Sequence, residues 1–278
     1  MPIVDVHTHM FTRHWLELVR TRGAPYGIQV RPDGREEVYR GATPVVFPQP
    51  GHFDYEVRRR EMDAAGIDVS IVSLTCPNVY WGGEEVSCEA ARDSNASMAE
   101  AQRAYPDRIR WFASLPWEYP DRAVEELARS CDDGAVGVMV LANVAGRSLT
   151  EDAFVRLIFD GFLDRFPNLK LIAAHGGGTL PYLVGRFEKG DAVELAERRR
   201  MTAQPTDYLR RIWYDCITYD LGALRYLISV VGADRVLFGT DWPHQVHDVY
   251  GSIANTGALP ADQRDAIRGS NAIRLFGL

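Results

Sequence analysis

Long hydrophobic runs are missing from this chain of 278 residues. No segment approaches the roughly eighteen uninterrupted apolar residues of a membrane-spanning helix. The first apolar run, Pro2-Ile3-Val4, is broken by Asp5 and His7, and no basic leader with a long apolar stretch stands before it, so the sequence reads as cytoplasmic. Cysteine is scarce: Cys76, Cys88, Cys131 and Cys216 form no CxxC pair and show no close spacing. A disulfide framework and a zinc knuckle are thereby excluded, and reduced thiols are expected. An excess of positive charge is absent too, since 31 Lys and Arg stand against 38 Asp and Glu, net -7, with both signs mixed along the chain. That balance argues against nucleic acid or an anionic membrane as a partner. There is no internal repeat and no low-complexity tract.

With 46% hydrophobic residues, a chain of this length can bury one sizeable core, and residues 1–278 read as a single α/β domain. Short runs rich in β-branched residues recur between longer amphipathic stretches, the pattern of strands alternating with helices around a parallel sheet. Strands are expected at 3–7, 68–74, 110–115, 136–141, 169–175, 213–216 and 236–240, and helices at 54–65, 87–104, 120–130, 150–166 and 221–231. Strand then helix, repeated, predicts a TIM-like (β/α) barrel. Asp54, with Glu56 in the following turn, marks a helix start, and Gly66 a helix stop. Residues 21–51 are rich in Gly, Pro and Arg without a sustained period, and are expected as a long insertion over the barrel mouth. Seven strands are one short of a closed barrel. Between 141 and 169 there is room for one helix and short loops, and no strand is expected from 143–154.

The first predicted strand ends in Val4-Asp5-Val6-His7-Thr8-His9, and side chains two apart on a strand share a face. A lone histidine is more often a hydrogen-bonded core or surface residue than a ligand. Two, one residue apart at a strand end, are a stronger signal. His175 closes another apolar run, and Gly176, Gly177 and Gly178 after it let the backbone turn sharply, with a cap on the next helix as its competing role. Asp241 closes the last run, with a helix N-cap as its competing role. Together these make three imidazoles and one carboxylate, each at the C-terminal end of a strand, the face on which such barrels carry their chemistry. The donor set suits one divalent metal ion, zinc first and manganese or iron as well, and the lack of a thiolate argues against a structural zinc site.

With His7-Thr8-His9, Ala174-His175-Gly176-Gly177-Gly178 and Gly239-Thr240-Asp241-Trp242-Pro243, the chain resembles the amidohydrolase-related family that includes aminocarboxymuconate-semialdehyde decarboxylase. The likeness runs on through Arg60-Glu61-Met62-Asp63 with Gly66, Tyr80-Trp81, Leu157-Ile158-Phe159, Arg165-Phe166-Pro167 and Gly185-Arg186, so it spans nearly the whole chain. The resemblance implies a (β/α)8-like barrel with one divalent metal on residues matching His7, His9, His175 and Asp241. It also implies a small carboxylate substrate, decarboxylation without a redox cofactor, and a homodimer. Where the family has a histidine taken to activate the metal-bound water, this chain has Tyr219. A phenol of ordinary pKa, near 10, is a poor base at neutral pH and serves better as a hydrogen-bond donor. Asp241 is then expected to carry the proton, with His244 and His247 as further candidates. Arg186, matching the family's Gly-Arg pair, is expected to clamp a substrate carboxylate, with Arg40 as the weaker choice. Trp81 and His244 are expected to line the substrate pocket.

The leading expectation is a metal-dependent decarboxylase of a small unsaturated or aromatic carboxylic acid. A hydrolase of a lactone or related cyclic ester competes, because Asp241-Trp242-Pro243-His244 also resembles the dicarboxylate lactonases and Tyr219 replaces the family's histidine. A third reading is a metal-binding homologue without catalysis, because relatives carry a further helix and strand after the segment matching 150–154.

Overall fold

The computed structural model describes residues 1–141, 143–144, 147–148, 161–194 and 202–278. They fall in two compact units, one made of Met1–Val6, Ser148–Thr240 and Asp248–Leu278 and the other of His7–Arg147 and Asp241–His247. Each unit has its own parallel strands. Among the described residues no helix is long and apolar enough to cross a membrane.

The unit holding His7–Arg147 is built on β1 (Val4–Met10), β2 (Tyr26–Val30), β3 (Glu36–Arg40), β4 (Thr43–Val46), β5 (Val69–Leu74), β6 (Ile109–Ser114) and β7 (Gly137–Met139). β1, β5, β6 and β7 form one sheet in that order, with β5, β6 and β7 parallel. Ile71, Val72, Leu74, Ile109, Trp111 and Ala113 are all buried, as expected of parallel strands covered on both faces. Its helices are α1 (Arg13–Arg22), α2 (Tyr55–Ala65), α3 (Gly83–Ala104) and α4 (Pro120–Asp132). α2 begins and ends where the sequence signals put it: Asp54 accepts from the amides of Glu56 (2.8 Å) and Val57 (3.3 Å), and Gly66 closes the last turn at φ 69°.

The insertion is not a structureless loop. β2, β3 and β4 form an antiparallel meander in which Ile28 faces Val38 and Val38 faces Val46. Gly34 and Gly41, both at positive φ, occupy its turns, so the glycines that masked any period are the residues that make the hairpins possible. Val38 and Val46 are buried in a cluster with Phe11, Trp15, Leu74, Val79 and Tyr80. Trp15 stacks on Phe11 with ring centroids 4.6 Å apart and meets Trp81 edge-on at 5.9 Å. The short strands β8 (Asn143–Val144) and β9 (Arg147–Ser148) pair with each other alone. Neither joins a parallel sheet, so they add no eighth strand to the seven expected there.

The other unit carries the parallel sheet β10 (Ile172–Ala173), β11 (Trp213–Asp215) and β12 (Val236–Leu237), in that order. Tyr214, Leu224, Leu227, Phe238 and Ile267 are buried around it. The helix Leu221–Val231 has the expected bounds, capped by Asp220, which accepts from the Ala223 amide at 2.7 Å. All seven expected strands are present in the two parallel sheets, those of the second shortened to two or three residues. The expected helix at 150–166 lies largely outside the described residues, with Phe162–Arg165 as its visible end. The expected strands ending at 141 and beginning at 169 are β7 and β10, which belong to different sheets.

Candidate metal centre

Alternation along β1 turns His7 and His9 to one face, while Thr8 between them points the other way and hydrogen bonds to Ser70 (2.8 Å) and the Ile71 carbonyl (3.1 Å). His7 Nε2 lies 3.0 Å from His9 Nε2, and Asp241 Oδ1 lies 3.0 Å from His9 Nε2 and 3.4 Å from His7 Nε2. Four donors at 2.0–2.1 Å from a tetrahedral ion stand ~3.3 Å from one another, so this spacing fits one shared metal. Asp241 sits at φ 65°, a left-handed conformation that aspartate tolerates better than most residues. Its amide donates to the His7 carbonyl, and the His9 amide to the Trp242 carbonyl, both at 2.9 Å. These bonds run residues 241–242 alongside β1 and bring the carboxylate to the imidazoles.

Neighbours set the orientation of the donors. Ser73 Oγ donates to the Thr8 carbonyl (3.3 Å) and meets His9 Nδ1 at 3.2 Å. With its proton on that carbonyl, Ser73 accepts from Nδ1–H, which leaves the Nε2 lone pair for a metal. Arg58, 1% exposed, donates to the His9 carbonyl and lies 4.6 Å over the Trp242 ring. Gly51 lies directly against Trp242, where a Cβ would overlap the indole.

Two further histidines stand beside the triad, and one of them the sequence reading missed. His244, expected in the pocket, bonds Thr75 Oγ1 through Nε2 at 3.0 Å, its ring 4.5 Å from that of His9. His52 lies 5.2 Å beyond it and stacks on Phe11 at 4.6 Å. Its Nδ1 accepts from the Gln49 amide at 2.9 Å. Burial, followed by the nearby His244, His9 and Arg58, pushes the His52 pKa down to about 2. The only sequence signal for it was a histidine in a Pro-Gly turn, which carries no period.

In the other unit His175 follows β10 at φ 55°. The buried Asp215 carboxylate accepts from the amides of His175 (2.9 Å), Gly176 (3.0 Å) and Ile217 (3.1 Å), so it shapes the glycine turn that presents His175. A second buried carboxylate, Asp5, accepts from Thr240 Oγ1 at 2.6 Å. Neither had been singled out, since each reads as one polar residue in an apolar run. Tyr219 is 37% exposed, and Arg186 is exposed on the helix Val184–Glu194. Trp81, in the first-described unit, is 3% exposed in the core cluster and donates its indole N–H to the Asn78 carbonyl at 2.9 Å. Arg40 is exposed at the end of β3, 5.9 Å from the Tyr26 ring. His247 is exposed and bonds the His244 carbonyl.

Gly51→Ala is expected to push Trp242 and with it Asp241, lowering stability by about 1–3 kcal/mol and weakening metal retention, measured by urea unfolding and by metal content after dialysis. His52 sets an acid limit. Its folded pKa lies below the ordinary 6.5, so its stabilising contribution is complete above about pH 6.5 and is lost as pH falls toward the folded value, by at most ~1.4 kcal/mol per pH unit. In metal-free protein, His52→Phe should therefore show a smaller loss of unfolding free energy between pH 7 and pH 5 than the native chain.

A family model described as Amidohydrolase matches residues 138–278, half of the chain. The 2-amino-3-carboxymuconate-6-semialdehyde decarboxylase of Dictyostelium discoideum is 24% identical over 99% of this chain and 91% of its own length. A gamma-resorcylate decarboxylase from a Rhizobium species is 28% identical over 80% of this chain and 87% of its own. Among solved structures, the apo IDCase of Metarhizium anisopliae superposes with a TM-score of 0.83 at 20% identity, covering 99% of this chain and 97% of that one. A dihydroxybenzoic acid decarboxylase from Polaromonas, with bound manganese and the inhibitor 2-nitroresorcinol, superposes at 0.77 with 22% identity, covering 100% and 97%. These likenesses show the fold, a TIM-like β/α barrel. Because the matched half includes both the glycine turn at His175 and the strand end at Asp241, the chain belongs to the amidohydrolase family.

Proposed function

We propose that the protein is a metal-dependent decarboxylase of a small aromatic or unsaturated carboxylic acid. The observation that carries this is the convergence of His7, His9 and Asp241 within 3.0–3.4 Å in a chain whose relatives over most of its length are named decarboxylases. Zinc is our first choice for the single divalent ion, on its imidazole and carboxylate donors, with the manganese of the Polaromonas structure as the competitor. Such an ion supplies Lewis acidity toward a substrate oxygen. His7, His9 and Asp241 hold it, and His9 is kept in the right tautomer by Ser73.

Decarboxylation breaks the bond to the carboxylate carbon, releases carbon dioxide and requires a proton at the carbon left behind. We assign the relay of that proton, taken up from water, to Asp241, whose carboxylate stands at the site, with His244, bonded to Thr75, beside it. Three roles rest on the sequence alone. His175 is the fourth metal donor, Arg186 steadies a substrate carboxylate, and Tyr219 donates a hydrogen bond rather than acting as base. A homodimer and a cytoplasmic location complete the reading on the same ground.

The test is metal analysis of the purified protein together with a panel of aromatic and unsaturated acids and of lactones. Carbon dioxide release from an acid supports the proposal. Ring opening without carbon dioxide would make the protein a hydrolase, and bound metal without turnover a non-catalytic homologue. In the active protein His175→Ala should lose both metal and turnover. Tyr219→Phe should cost less than about ten-fold in kcat, whereas loss of a general base costs about 10²–10⁴-fold.

A further inference from the structure

On the face of β1 turned away from His7 and His9, a positive charge is buried. Arg58 is 1% exposed, whereas Arg60 on the same helix α2 lies at the surface. Burying a guanidinium is costly, and an apolar side chain of its size would often fill such a place at no loss of stability. Its contacts indicate what the charge is kept for. One terminal nitrogen donates to the His9 carbonyl, and the other donates to Ser70 Oγ at 3.4 Å. Ser70 Oγ lies 2.8 Å from Thr8 Oγ1, the side chain between the two histidines. The centre of the guanidinium stands 4.6 Å from the ring of Trp242, the residue that follows Asp241. One rigid plane therefore reaches the carriers of all three donors from behind.

We infer that Arg58 is a positioning residue of the metal centre, whose guanidinium sets the separation of His9 from Asp241 and so determines how tightly the site holds its ion. The inference rests on the reading of His7, His9 and Asp241 as ligands. Arg58 acts through the His9 backbone, through Ser70 and Thr8, and through the Trp242 ring. The backbone of Gly51 also lies against that ring, where no Cβ fits. Trp242 is thus located by Arg58 and Gly51, and the carboxylate one residue before it is located with it. Metal ligands tolerate errors of only about 0.2–0.5 Å, so a support behind two of them affects affinity before it affects folding. Lysine cannot replace it, since a point charge offers neither the fork that reaches the His9 carbonyl and Ser70 nor the plane that lies on an indole.

The experiment measures zinc and manganese affinities of the full chain by competition with a chromophoric chelator, beside urea unfolding of the metal-free protein. Arg58→Lys, which keeps the charge, is expected to unfold near the native midpoint yet to bind either ion about 10–100-fold more weakly, the usual effect of losing a group that orients a ligand. Trp242→Leu removes the ring on which the guanidinium lies and should weaken binding as well. Because the two residues act through one contact, the double variant should lose less affinity than the product of the two single losses. Arg58→Met removes charge and fork together and is expected to bind more weakly than Arg58→Lys. Should it not fold, the lysine variant and the cycle with Trp242→Leu decide the matter. Affinity within about two-fold of native in Arg58→Lys, with only the unfolding midpoint lowered, would make the residue structural and overturn the assignment. Losses that simply multiply in the double variant would overturn it too. Native protein that binds neither ion would remove the metal reading and the inference with it, an outcome distinct from either of these.

Discussion

Three electron-rich atoms crowded within 3.0–3.4 Å are the constraint on which the metal-binding unit depends. Two imidazole nitrogens and a carboxylate oxygen at that separation repel one another unless positive charge lies between them, and a single divalent ion satisfies all three at once. The surrounding contacts resist relaxation of the cluster. Two backbone hydrogen bonds hold residues 241–242 against β1 and so fix the distance between the segments that carry the donors. Arg58 ties the His9 carbonyl to the Trp242 ring, so the chain on either side of the cluster is held by one buried guanidinium. Gly51 has no side chain because Trp242 occupies the space it would need. The unit is thus built to hold groups that would separate if left alone, which is the usual mark of a preorganised site.

The other unit solves a related problem with backbone donors in place of a cation. Asp215 is fully buried, and a carboxylate there is costly unless donors surround it. Three backbone amides do so, two of them from the turn that begins at His175. The stabilisation runs both ways: the turn amides would be unpaired without the carboxylate, and the carboxylate would be unsolvated without the turn. Asp5 and Thr240 repeat the device on a smaller scale.

Much of this was legible in the sequence, and the boundary of legibility has a physical origin. Signals that depend on the period of one element came through. The strand alternation at His7 and His9, the Asp54 cap, the Gly66 stop and the helix Leu221–Val231 all stand where local pattern puts them. Interactions between distant segments did not. Arg58 reads as one of several charges on an amphipathic helix, yet its guanidinium ends 49 residues away on the His9 carbonyl. His52 lies in a three-residue 3-10 turn too short for any period, and its meaning arises only from Phe11 and His244. The β2–β4 meander was hidden because its register depends on glycine turns, which lower the apparent regularity of the strands they join.

Backbone strain recurs in both units at comparable places. Among the described residues four non-glycine positions have positive φ: Asn78, His175, Tyr219 and Asp241. Each stands two to four residues beyond the end of a parallel strand, β5, β10, β11 and β12 in turn. A side chain in the left-handed region costs of order 1 kcal/mol or more, and it persists only where the surroundings determine it. At Asn78 those surroundings are visible. Its side chain bonds the Leu74 carbonyl and the Val79 amide, while its own carbonyl accepts the indole N–H groups of Trp15 and Trp81. Trp81 therefore fastens the turn that follows β5, the same turn that carries Thr75 and its bond to His244. At Asp241 the strained backbone delivers a carboxylate to two imidazoles, and at His175 it follows from the amides gathered by Asp215. Three of the four strained positions are residues to which the sequence had already assigned chemistry. Strain at every one of these strand ends is what a fold incurs when the direction of a side chain matters more there than the comfort of its backbone.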